Sequence, residues 1–389
     1  MVWTPAFIFT INIKYPPRRL GSDNHLDRSK ISLQADKKYR LTFKFDQKRL
    51  EAEMTLYCGI DLHSNNHYVC VIDDNDQRLL ERKLDNDSRA LIAVLSEYKD
   101  ELLAIAIEST FNWYWLADAL MEAGFNVRLV NTTKVIQYSG LKRADDRYDA
   151  FFLAHLMRLN ILPTGYICPA ESRGLRDLLR KRMSLVQTGT QQILSVKTQY
   201  QRACGRVLPS NEIKKKDFVL PVVGDANVQM AMQANLTVLK TLIQQIKALE
   251  KRIVQQASSM DSFSILKSFD GIGNILALVI LLETGDINRF KSPGNYASYC
   301  RCVDSRRESN GKRKGEGNRK NGNKYLSWAY MEAANYAIRY NPKAQKYYQR
   351  KKAKTNQIVA LKALSHKIAR ACYHMMANQV PFDEEKLFA

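Results

Sequence analysis

The chain has 389 residues, enough for two or three domains, and 45% are hydrophobic, which excludes wholesale disorder. Its 60 basic residues against 39 acidic give a net charge of +21, an excess that favours a polyanionic partner. No signal peptide is visible, the longest apolar run (Ile275 to Leu282) is far short of the ~18 residues of a membrane span, and the scattered cysteines lack a CxxC pair. That cysteine pattern suits a reducing cytosol and argues against a disulfide framework or a zinc site.

Residues 1–53 do not match the rest of the chain. With Pro16-Pro17 and short alternating runs such as Tyr39 to Phe45, they fit either a hairpin or sequence translated ahead of a start at Met54. The second reading is preferred. From Leu56 the pattern turns strand-like. Leu56–Ile60, Tyr68–Ile72 and Arg78–Leu84 are short runs separated by turn residues, which predicts an antiparallel meander. Next come a helix over Ser88–Tyr98, a strand over Leu102–Ile107, a helix over Trp113–Ala123, a strand over Asn126–Val130 and a helix over Thr133–Ser139. A helix from Asp146 to Leu159 closes the unit. Strands first, then alternating helix and strand, is the order of an RNase H-like α/β fold.

Four carboxylates stand out in that order. Asp61 and Glu108 each end an apolar strand, and Asp146 and Asp149 share one face of the closing helix. Like charges so placed repel unless a cation lies between them, so the four are expected to meet and hold a divalent metal. Oxygen ligands suit Mg2+ or Mn2+. His63 stands near Asp61 but is assigned no role, and Trp113, Tyr114 and Trp115 read as core more than as base-stacking platforms.

After Pro163 and Pro169 two helical stretches predict a linker over 161–261. Leu179, Val186, Ile193 and Tyr200 recur every seven residues in the first stretch, and Met232, Leu239, Ile246 and Ile253 in the second. The seam fits either a helical hairpin within the chain or a coiled coil between subunits. The narrow stripe favours the second. Residues 262–389 read as a mostly α unit. In Phe269-Asp270-Gly271-Ile272-Gly273-Asn274 a Gly-hydrophobic-Gly turn precedes an apolar helix, a helix-hairpin-helix pattern whose free amides suit a phosphate. The run from Arg301 to Tyr325 is strongly basic and lacks apolar periodicity, so it reads as a loop. A helix over Lys324–Tyr340 and one basic helix from Pro342 to Asn378 complete the chain.

Four sets of residues together resemble the DEDD-type transposases of the insertion sequence 110 family, most closely its 1111 subgroup. They are Gly59-Ile60-Asp61-Leu62-His63, Ala106-Ile107-Glu108-Ser109-Thr110, Asp146-Arg147-Tyr148-Asp149-Ala150, and a C-terminal block. That block holds Gly271-Ile272-Gly273, Gly285 to Phe290, Ser309-Asn310-Gly311-Lys312 and Lys320 to Leu326. The resemblance covers about residues 55 to 378.

It implies a RuvC-like catalytic domain over 54–160 and a transposase domain with a catalytic serine after the linker. It implies a site-specific DNA recombinase guided by a structured bridge RNA. Such proteins work as tetramers, dimers of dimers, with each active site shared between subunits, in the bacterial cytoplasm and at the nucleoid. Asp61, Glu108, Asp146 and Asp149 match the acidic tetrad, and Asp145 is out of register with it. Ser309 matches the serine, where the family often has Ser-Gly and this chain has Ser309-Asn310-Gly311. Ser305 lies nearby. Arg306, Arg307, Lys312, Arg313 and Lys314, with Gly271 and Gly273, are the expected nucleic-acid contacts. The alternative reading is a metal-dependent junction endonuclease that uses water and forms no covalent link.

Overall fold

In the computed structural model, residues 55–135, 145–257, 260–305, 307–315 and 321–388 are described. Residues 1–53, the basic run from Leu141 to Ala144, and Arg306 lie outside them.

The N-terminal unit is one five-stranded sheet. Its strands are β1 (Leu56–Leu62), β2 (Asn66–Ile72), β3 (Arg78–Asp85), β4 (Leu102–Glu108) and β5 (Val127–Val130), in the spatial order β3-β2-β1-β4-β5. The β1–β2 and β2–β3 pairs are antiparallel, while β1–β4 and β4–β5 are parallel. Helices α1 (Ser88–Leu95) and α2 (Tyr114–Glu122) supply the β3–β4 and β4–β5 crossovers, α3 (Thr132–Val135) comes after β5, and α4 (Asp146–Arg158) crosses back over the sheet. The rest of the helix expected over Thr133–Ser139 lies outside the described residues.

Side chains alternate across a strand, and here the alternation sorts the two faces. Cys58, Ile60, Leu62, Ile105 and Ile107 pack against Leu91, Leu95, Leu116 and Leu120 of α1 and α2. Tyr57, Ala104 and Ala106 pack instead against Ala150, Leu153, Ala154 and Met157 of α4. Gly59, Asp61 and Glu108 share the parity of this second face.

Two long helices join the units. α5 (Ala170–Cys204) runs antiparallel to α7 (Ala226–Ala257), with the short α6 (Ser210–Ile213) between them. Early α5 meets late α7 where Arg182 pairs with Glu250 at 2.6 Å, and late α5 meets early α7 through Ile193, Val196, Met232, Leu236 and Leu239. Met232, Leu239 and Ile253 of the heptad stripe are therefore buried within the chain. This corrects the preference for a seam between subunits: an intramolecular hairpin uses the stripe.

The C-terminal unit holds α8 (Asp261–Lys267), α9 (Asn274–Thr284), α10 (Pro293–Tyr299), strands β6 (Arg307–Ser309) and β7 (Lys312–Gly315), α11 (Lys324–Tyr340), α12 (Pro342–Lys354), α13 (Gln357–Asn378) and α14 (Glu384–Phe388). Its core centres on α9, which is buried on almost every side. Two expectations are corrected. The basic Pro342–Asn378 stretch is two helices, because Asn356 caps a new start by accepting from Val359 N at 2.9 Å. The run read as a loop contains the antiparallel hairpin of β6 and β7.

Candidate active site

The acids meet because one glycine lets a helix touch a strand. A Cβ on Gly59 would lie 2.0 Å from the carbonyl of Ala150 and 2.8 Å from the amide of Ala154. No other residue fits there, so α4 lies directly on β1 with its first turn over the ends of β1 and β4. Asp145 is the N-cap of that helix and accepts from Tyr148 N at 2.8 Å, which leaves Asp146 and Asp149 in the first turn. The preference for Asp146 over Asp145 thus has a structural reason: Asp145 is occupied by the backbone.

At the strand ends the carboxylates crowd. Asp61 is only 3% exposed. Burial raises its carboxyl pKa to about 7, aided by a hydrogen bond with Glu108 and the charge of Asp149, and opposed by His63. Asp149 is also raised, first by burial and then by the charges of Glu108 and Asp146. All four predicted acids therefore act on one another within one chain.

His63 joins them. Its Nε2 lies 3.1 Å from Asp61 Oδ2 and 3.3 Å from Asp146 Oδ1. That nitrogen is sealed from solvent, yet neither carboxylate meets it with hydrogen-bond geometry. The ligand atoms of Asp61, His63 and Asp146 lie within 4.8 Å of one another. Carboxylates that suppress each other's ionisation, together with an unsatisfied imidazole nitrogen facing them, fit a divalent cation. The carboxylate oxygens of such a set suit Mg2+ or Mn2+. The loop behind His63 is fixed by Asn112 Nδ2 and Asn86 Nδ2, which donate to its carbonyl at 2.9 and 3.1 Å. The sequence offered only proximity to Asp61 as a clue to His63. The roles of Asn86 and Asn112 depend on contacts distant along the chain.

Trp113 is core, buried with Arg173 stacked over it at 4.9 Å. Tyr114 is edge-on to Trp113 and shares the same guanidinium at 4.7 Å.

Ser309 sits elsewhere. It ends β6, pairs with Lys312 of β7, and is exposed. Asn310 and Gly311 form the turn with φ of 51° and 68°, both left-handed, which is the Asn-Gly two-residue hairpin turn. Lys312 and Lys314 are exposed on β7, Arg307 and Arg313 lie in the two strands, and Ser305 precedes them. The base of this loop is clamped. Arg301 donates from Nε and Nη2 to Gly322 O at 3.1 and 2.9 Å, and Asn323 N donates to Tyr299 O at 2.6 Å. Asn323 caps α11, and its Nδ2 donates to Glu283 Oε2 at 2.7 Å; Glu283 in turn accepts from Arg180 of α5 at 2.6 and 2.8 Å.

The two turn glycines differ. Gly271 has φ +124°, and a Cβ there would lie 2.7 Å from Ala333 O, so it serves packing of the turn on α11. Gly273 has open space beside it and caps α9, at the edge of a cleft of about 780 Å³ that also reaches Trp328 and Tyr340.

A sheet in this order, with carboxylates at the ends of β1 and β4 and on the helix that crosses them, is consistent with a RuvC-like transposase domain of the DEDD type. Comparison with known families agrees. Residues 58–203 match the family model of the DEDD transposase domain of IS110 elements, described as a transposase, and residues 263–349 match the model described as "Transposase IS116/IS110/IS902 family". The chain carries both IS110-family transposase domains. It is 24% identical over 237 residues to a Sinorhizobium fredii protein named "Putative transposase y4qE", a match spanning 60% of this chain and 58% of that relative's length. Among the described residues no helix is long and apolar enough to cross a membrane.

Proposed function

We propose that the chain is a DNA transposase acting as a site-specific recombinase, with Asp61, Glu108, Asp146 and Asp149 as metal-binding acids and Ser309 as nucleophile. The convergence of the four acids and His63 at the ends of β1 and β4 carries the reading. Asp61 and Asp146, with His63, would hold Mg2+ or Mn2+, with Glu108 and Asp149 beside them. A metal bound there would supply charge neutralisation of the phosphate and of the leaving oxygen.

The side chains of the protein do the rest. Ser309 Oγ bonds to the scissile phosphorus and loses its proton. The bond from phosphorus to the 3′ oxygen breaks, and that oxygen takes up a proton to become a free 3′-hydroxyl. The phosphoserine link conserves the energy of the phosphodiester, so a 3′-hydroxyl of the partner strand reverses the step and reseals the DNA. Lys312, Lys314, Arg306, Arg307 and Arg313 hold the phosphates beside the serine, and the turn at Gly271 and Gly273 holds another part of the backbone. That two copies of the chain complete one site, within a tetramer, is what the family resemblance implies, and the placement of acids and serine in different units is compatible with it. Guidance by a structured bridge RNA comes from the family resemblance, and the net charge of +21 suits two nucleic-acid partners.

A second reading rests on the same separation. The acids assemble without Ser309, as a junction endonuclease that uses water would require. A denaturing gel distinguishes the two. Protein, element-end DNA, adjoining non-coding RNA and Mg2+ are incubated and probed for protein-linked DNA. An adduct in the wild type that is lost in Ser309→Ala supports the recombinase. Free nicked DNA from both proteins supports the endonuclease.

A further inference from the structure

Beside the acids stands a group that the cleavage chemistry does not use. Phe111 is 84% exposed, and no other phenylalanine among the described residues is exposed. A single apolar side chain on a surface is ordinary. What distinguishes Phe111 is its mounting. It comes three residues after Glu108, and the turn carrying it is tied on both sides. Thr110 N donates to Glu108 O at 2.9 Å and Thr110 Oγ1 to Asn112 Oδ1 at 2.9 Å. Asn112 Nδ2 then reaches the carbonyl of His63 at 2.9 Å. The next residue, Trp113, is anchored in the core. The backbone is therefore fixed to the same loop that aims His63 at Asp61 and Asp146, while the ring is left in water.

Fixing the backbone under an exposed ring adds no burial in the free chain, yet it prepares the ring for a planar partner. Three residues span at most about 10 Å, which places the ring within reach of a base adjoining any phosphate held at Glu108. We propose that Phe111 is the stacking platform for an unstacked nucleobase next to the scissile phosphate. It holds the cleaved strand by the face of the base, which every base offers, and so positions the strand without reading its sequence. The proposal rests on the DNA-cleavage reading of the acidic site, which both functional readings share.

The test uses element-end DNA with the adjoining RNA, and the cleavage position is first mapped with the wild-type protein. 2-Aminopurine is then placed on either side of that position. The wild type is expected to change its fluorescence on one side. Phe111→Ala is expected to lose that change and to cut roughly 5- to 150-fold less efficiently, with its melting temperature unchanged. Phe111→Trp is expected to restore both signals, whereas Phe111→Leu, apolar but not planar, is not. Equal cutting and equal fluorescence in Phe111→Ala overturn the proposal, as does rescue by Leu to the level of Trp. A shift in sedimentation of Phe111→Ala overturns it as well and assigns the ring to contact with a second copy of the chain. If the wild type itself shows no metal-dependent cleavage, the underlying reading falls first, and the proposal with it.

Discussion

Single residues carry much of the local order, and some are testable alone. Asp76, in the β2–β3 turn at φ 63°, accepts from Arg158 at 2.6 Å through each carboxylate oxygen and faces His155 at 2.8 Å. Partial burial alone would raise its pKa, but the hydrogen bonds from Arg158 and His155 hold it below the usual carboxylate value. Its stabilising contribution is therefore full above the unfolded pKa of about 4 and is lost as pH falls through the lower folded value. Asp76→Asn keeps the tolerance for a left-handed backbone and removes the charge and one of the two acceptor oxygens. It should cost about 1–3 kcal/mol at pH 7 in urea unfolding, with the gap to wild type closing at low pH. Asp61, Glu108, Asp146 and Asp149 were legible in the sequence because strand ends and an i,i+3 pair are local patterns. His63 was not, because a single histidine beside a turn says nothing of what its ring faces after folding.

At the scale of elements, packing on Gly59 and the hairpin of Ser309 are the critical features. Gly59→Ala forces α4 off β1, since the clash is with helix backbone rather than a flexible side chain. It should destabilise the N-terminal unit by about 3 kcal/mol and abolish metal-dependent cleavage, read by calorimetry and a nicking assay. The Asn310-Gly311 turn sets where Ser309 points. Gly311→Val places a β-branched residue at φ 68°, which should lower adduct formation while leaving metal binding unaltered. This hairpin was hidden in the sequence although Asn-Gly is a strong turn signal, because its strands are short and charged and show no apolar alternation. The break at Asn356 was hidden for a related reason: no proline or glycine interrupts the helical pattern, and the cap is one asparagine. The strand order was readable because apolar runs and turn residues alternate cleanly from Leu56 to Val130.

Across the whole molecule, α5 ties the two units together. Near its start Arg173 pairs with Asp118 of α2 at 2.6 Å, and further along Arg180 pairs with Glu283 of α9. Glu283 is 5% exposed and also holds Asn323 at the base of the serine loop. Removing its charge leaves Arg180 without its charged partner, so Glu283→Gln should cost about 3 kcal/mol and lower the melting temperature. The heptad stripe illustrates a limit of sequence reading at this scale. Its period reports that a helix has a partner but not which helix, and here the partner is α5 of the same chain.

The claim that one chain assembles a metal-dependent acidic site, with Asp146 in the tetrad and Asp145 as the helix cap, is tested most directly by cleavage rates in Mn2+ for three variants. Asp61→Asn and Asp146→Asn should each lose at least roughly 100-fold, as expected for groups at least as close to the metal as outer-shell partners. Asp145→Asn should stay near wild type, because asparagine also caps a helix. Loss of cleavage in Asp145→Asn with full activity in Asp146→Asn would contradict the account.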